Sequence, residues 1–216
     1  MRRNYRIGSD ILKYNIEYKH KEKDFKDVWL IEKDYLESST IASVNQVIKW
    51  ENKNNNIHIF VKDIDKDKIV GEITILPLSE VQFQQFITNK LEDTEINENT
   101  LLNYERNKSY YLLFSAIAID KEYRNEREIL SLLMKGFYDK IKYLKENKIT
   151  FLNMCAEGQT LNGQKFIESF LNLKHKCTTK EGYKLYSYDS KEDFEKWFEI
   201  FPKYIHDYNW KFNINY

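Results

Sequence analysis

The chain has 216 residues, 42% hydrophobic and 31% charged, with 34 Lys and Arg balancing 34 Asp and Glu. That apolar share excludes a disordered polypeptide, and only two cysteines exclude a disulfide framework. Zero formal charge removes the long-range field on which nucleic-acid and anionic-membrane binders rely. No run approaches the roughly 20 apolar residues that span a bilayer. No secretory segment follows the basic start at residues 1–6, so a cytoplasmic location is expected.

Residues 14–19 suit a first strand. Phe25, Val28, Leu30, Ile31, Tyr35 and Leu36 recur at near-helical spacing, and so do Ile41, Val44, Val47, Ile48 and Trp50, giving two helices. Residues 57–61 and 68–76 flank the polar break 63–67 as an antiparallel hairpin, which Pro77 is expected to stop. The polar connection 79–107 should hold a short helix at Glu80–Ile87, and its length is that of a lid or binding loop. Residues 110–119 are nearly all apolar, as in a central strand covered on both faces. A polar corner at 120–125 precedes a helix with the stripe Leu130, Leu133, Phe137, Ile141 and Leu144.

A strand at 149–155 completes a crossover unit with parallel neighbours. A helix at 161–171 leads to a last hairpin, 174–179 with 183–188, turned at Gly182. Phe194, Trp197, Phe198, Phe201, Tyr204 and Ile205 form an aromatic tail helix that Pro202 should kink or end. The fold class is α/β (α+β), with flanking helices around one mostly antiparallel sheet. The domain runs over 1–189, with the helical extension 190–216 packed on it.

This order, the hairpin ending Ile69-Val70-Gly71-Glu72, the strand exit Ile117-Ala118-Ile119-Asp120-Lys121-Glu122-Tyr123-Arg124 and the closing strand–helix–hairpin resemble the GNAT acyltransferase superfamily. The resemblance covers about 57–188. It implies an acetyl-CoA-dependent N-acyltransferase in which an R/Q-x-x-G-x-G/A loop holds the pyrophosphate on main-chain amides at a helix N-terminus. It further implies that the backbone of Ile117, Ala118 and Ile119 faces the pantetheine, and that Arg124, Asn125, Glu126, Arg127, Glu128, Ile129 and Asn162 contact the cofactor. Arg124 fills the Arg position, whereas Arg127 and Ile129 stand where glycines belong. Asn125 and Glu128 have the spacing of a capping box, whose Asn would compete with phosphate for the same amides.

Amine acylation needs a base for the ammonium, for which Glu72 and Glu157 are candidates. The Tyr that relatives place on the helix after the fifth strand is missing, and Tyr186 or Tyr188 from the last strand could replace it as acid. Cys155 reads as a buried inert thiol, because its strand is apolar and carries no adjacent His. The four His are isolated and no Cys/His pair has zinc spacing, so no metal is expected. Acetyl-CoA is the implied co-substrate. The implied partner is a small-molecule or protein amine, with a homodimer as an open arrangement and neither nucleic acid nor membrane. Direct transfer without a covalent enzyme intermediate is the expected mechanism. The alternative is a GNAT-fold protein without catalysis that binds a CoA ester or a protein partner as sensor or scaffold.

Overall fold

The computed structural model describes residues 13–37 and 41–206; the basic start and the Tyr204 and Ile205 side chains lie outside it. Seven strands form one sheet in the order β1-β2-β3-β4-β5-β7-β6. They are β1 (Tyr14–Glu17), β2 (His58–Asp63), β3 (Lys68–Leu78), β4 (Ser109–Ile119), β5 (Thr150–Gly158), β6 (Lys174–Thr178) and β7 (Lys184–Ser187). The β4–β5 pair is parallel and the other five are antiparallel. The helices are α1 (Glu22–Lys33), α2 (Val44–Lys53), α3 (Glu80–Ile87), α4 (Arg127–Glu146), α5 (Leu161–Ser169) and α6 (Lys191–His206).

Each sheet face is covered by helices whose apolar stripes dictate which face they take. On one face α1 buries Phe25, Val28 and Ile31 against Phe60 and Ile69. Beside it Trp50 of α2 and Phe83 and Phe86 of α3 share a cluster with Leu76, Leu78 and Leu113. On the other face α4 lays Ile129, Leu133, Phe137, Ile141 and Leu144 over Ile59, Val61, Val70 and Ile73. The stripe thus begins one residue before the expected Leu130, which is only half-buried. Gly71 lets α4 sit close: a Cβ there would meet Ile129 Cγ2 at 2.9 Å.

Four expected boundaries are corrected. Pro77 does not stop β3, which runs on to Leu78 with Pro77 opposite Leu112. Ile75 donates its N–H to the Ile57 carbonyl at 2.8 Å, so position 77 turns its nitrogen to the same side, where β2 has already ended and no ladder bond is lost. β5 continues past Cys155 to Gly158, held there by β7. The helix after it closes at Ser169. Pro202 does not end α6, which continues to His206 and has Pro202 in its interior.

α6 packs on the α4 face. Phe194, Trp197 and Phe201 are 0 to 3% exposed within the core that α4 and β5 share, and the Trp197 indole donates to the Phe170 carbonyl at 3.0 Å. Burial of each such ring removes enough apolar surface to stabilise the fold by about 2–3 kcal/mol. The connection between β3 and β4 is fastened to α2, because the Trp50 indole donates to the Ile96 carbonyl at 2.9 Å. Gln46 reaches the carbonyls of Thr94 and Ile96 at 3.0 and 2.9 Å.

Candidate active site

The site begins with a parting of strands. β4 and β5 pair only from Ser109 opposite Thr150 to Phe114 opposite Ala156. Past that point β4 stays with β3 while β5 stays with β7. Thr74 pairs with Ala116 and Ile75 with Phe114, so Ser115 is the extra residue of a bulge that bends β4 away. Asp120 donates its N–H to the Val70 carbonyl at 2.9 Å. By strand alternation, 118 and 116 face β3 likewise. Ile117 and Ile119 therefore present their main-chain groups to the gap.

A cavity of about 260 Å³ passes through this gap and is lined from both faces of the sheet. On the α1/α2 side its wall carries Glu32, His58, Glu72, Thr74 and Asp93. On the α4/α5 side it carries Phe114, Leu130, Asn162 and Phe166, with Arg124 at the corner. Glu157, two residues on from Cys155, shares that residue's face toward α2 and α3.

The expected cofactor residues divide. Ile117, Ala118, Ile119, Arg124 and Asn162 line the cavity. Asn125, Glu126, Arg127 and Glu128 are exposed and outside its wall, and Ile129 is fully buried in the core. Of the side chains at the glycine positions, Ile129 is thus taken into the core and Arg127 is left exposed at the start of α4. The anticipated capping box does not form: α4 starts at Arg127 with Glu126 as its N-cap, and no side chain caps its amides. A 3₁₀ turn at Lys121–Tyr123, capped by Asp120, takes up the residues before it. Asn162 is not a cap either, since Thr160 caps α5 through Gly163 N–H at 3.0 Å.

Tyr35 occupies part of the gap. Its hydroxyl donates to the Ile119 carbonyl and accepts from Arg124 Nε at 2.8 Å, with the guanidinium 4.5 Å from its ring.

Of the three candidate catalytic residues, Glu72 and Glu157 reach the cavity and Tyr186 is not part of its wall. The Tyr186 ring is fully buried and its hydroxyl donates to Glu168 at 2.8 Å. Burial first, and then that carboxylate, push the phenol upward. Tyr188 is likewise buried, with its hydroxyl on the Leu171 carbonyl. Cys155 is fully buried and burial pushes its thiol up, which suits an inert side chain.

Glu72 is 1% exposed. Burial is the main cause that drives its carboxyl well above the ordinary range, and Glu32 adds to it. Glu32, on α1, is its hydrogen-bond neighbour, so the two must share a proton; burial pushes Glu32 up to about 7. Glu157 is also pushed up to about 7 by burial, with Asp93 adding charge repulsion and Gln159 opposing it. Asp93 is raised by burial despite accepting from Ser115 Oγ at 2.7 Å. His58 Nδ1 lies 2.9 Å from Thr74 Oγ1, which donates to Glu72 Oε2 over a long 3.4 Å. With the Thr74 proton directed at Glu72, Nδ1 is the donor and Nε2 keeps its lone pair; with Glu72 donating to Thr74 the chain runs the other way. Burial holds His58 well below the usual imidazole range, hence neutral.

Glu32, Asp93 and His58 were not singled out as site residues from the sequence. Glu32 follows Val28 by one helical turn and so shares its inward face, a signal that was available. His58 opposes Thr74 across the hairpin. Asp93 sits in an irregular connection with no periodicity to read.

No family model and no curated protein matches the sequence. Solved structures do resemble it. Ard1 from Thermoplasma volcanium shares 11% identity at a TM-score of 0.51, covering 82% of this chain and 97% of its own. The NatC complex bound to Gag peptide and CoA shares 9% at 0.53, covering 82% and 96%. A GNAT-family acetyltransferase from Streptococcus agalactiae shares 12% at 0.50, covering 81% and 94%. The parted parallel strands, the bulge and this likeness agree on one architecture: the chain has the GNAT acyltransferase fold.

Proposed function

We propose that the protein is an acyl-CoA-dependent N-acyltransferase that passes the acyl group directly from the thioester to an amine. The observation that carries the reading is one cavity that joins the strand main chain in the gap to the buried Glu72 and the half-buried Glu32, Asp93 and Glu157. The main-chain groups of Ile117 and Ile119 would bond the amides of a pantetheine arm. Arg124 and the uncapped amides at the start of α4 would meet its phosphates. Asn162 would contact the arm from α5.

Glu72 is the base in this reading. The bound ammonium gives a proton to the Glu72 and Glu32 pair, the freed amine attacks the thioester carbon, and the C–N bond forms as the C–S bond breaks. The second nitrogen proton leaves with the sulfur, so the products are the amide and the free CoA thiol. No nucleophile of the protein is needed, consistent with the inert Cys155.

Calorimetry with acetyl-CoA, followed by thiol release across a panel of amines, tests the reading. Binding with release supports it. Failure to bind acetyl-CoA at millimolar concentration ends it. A second reading, a CoA-ester sensor without catalysis, is favoured by the engagement of the Tyr186 hydroxyl with Glu168. Binding without release from any amine would select it.

A further inference from the structure

We infer that the acceptor is a small alkyl diamine or polyamine, held at two points, and this rests on the acyltransferase reading. The α1/α2 side of the cavity and its β5 wall carry four carboxyls, Glu32, Glu72, Asp93 and Glu157. None of them joins an ion pair among the described residues. Among the described residues Arg124 is the one Lys or Arg in the wall, and its Nε is engaged by Tyr35. Their partners are neutral, Thr74 for Glu72, Ser115 for Asp93 and Gln159 for Glu157. Water is kept from them in part or, at Glu72, almost wholly, so a ligand that supplies positive charge is what this wall suits.

Two further groups point the same way. Glu72 Oε1 and His58 Nε2 are buried in side chains 1% exposed that line the cavity, and apart from the proton that Glu72 shares with Glu32 no donor among the described residues faces them. With the Thr74 proton directed at Glu72, the neutral imidazole nitrogen has a free lone pair and, beside a carboxyl, accepts N–H donors and repels anions. A metal ion is a poor fit, because no group of three or more His, Cys, Asp or Glu among the described residues is arranged to hold one. The carboxyls are distributed instead. Glu32 and Glu72 form one pair with His58 beside them, while Asp93, on the connection, acts by its charge on Glu32 and on Glu157 of β5 and raises both. Val47, Trp50, Phe86 and Leu113 supply apolar wall for a methylene chain.

A monoamine would bring charge to one group of carboxyls and leave the other with neutral donors alone, Ser115 and Gln159 among them; a second ammonium brings charge to both. The size argues for a free small molecule over a polypeptide, since about 260 Å³ must also admit the thioester end of the donor. The reacting nitrogen belongs at Glu72, where its proton is taken, and the distal ammonium at Asp93 and Glu157.

The test is calorimetry of the whole chain, without acyl donor, against 1,4-diaminobutane, 1-aminobutane and a lysine-containing peptide. The diamine is expected to bind at least about tenfold more tightly than the monoamine or the peptide. Glu157→Gln and Asp93→Asn, each checked for folding by thermal unfolding, should bring the diamine to within about threefold of the monoamine. Equal affinity of wild type for diamine and monoamine, or a peptide that binds as well as the diamine, would overturn the inference. These outcomes are separate from the acetyl-CoA titration: selective diamine binding with no acetyl-CoA binding would retain the acceptor site and discard acyl transfer.

Discussion

Glu72 sets what the cavity can do, because a carboxyl with 1% exposure is balanced only by a proton or a cation. Replacing it with Gln keeps its shape and removes the base, so kcat should fall about 10²-fold, measured as thiol release at saturating amine. The pH dependence has a defined sign. Glu157 titrates near 7 in the fold against an ordinary 4.5. It therefore binds its proton more tightly folded than unfolded. Its contribution to stability is complete below about 4.5 and is lost as pH rises to 7 and beyond. Thermal midpoints should decline between pH 5 and 8, and less steeply in Glu157→Gln. The acyl-transfer rate should move the opposite way, rising over that window as the raised carboxyls ionise.

Among the elements, regular periodicity makes the strands and helices legible in the sequence. The α4 and α6 stripes and the apolar β4 needed only spacing and composition. Boundaries governed by tertiary pairing were not legible. Pro77 is tolerated because β2 ends beside it, and β5 is prolonged past Cys155 because β7 pairs with it. The start of α4 illustrates a local rule overridden, since the 3₁₀ turn before it leaves Asn125 outside the cap. Of the site, Glu72, Glu157 and the β4 backbone could be read from strand position. Asp93 could not, because its place depends on an irregular segment tied down by Trp50 and Gln46. Two substitutions probe the packing. Gly71→Ala drives a methyl into Ile129 and should cost about 1–3 kcal/mol of unfolding free energy in urea. Phe194→Ala opens a hole between α6 and β5 and should cost about 3–5 kcal/mol.

Over the whole molecule, a ligand that binds only the folded state raises its stability by mass action. Acetyl-CoA at a hundred times its Kd should add about 2.7 kcal/mol, read as an upward thermal shift that Arg124→Ala diminishes. The passage through the sheet has a kinetic corollary. If donor and acceptor enter from the opposite faces whose residues line the wall, each product departs by its own side. Free CoA should then compete with acyl-CoA alone, while the acylated amine competes with the amine alone. Initial-rate plots should intersect, in place of the parallel lines left by a modified-enzyme shuttle.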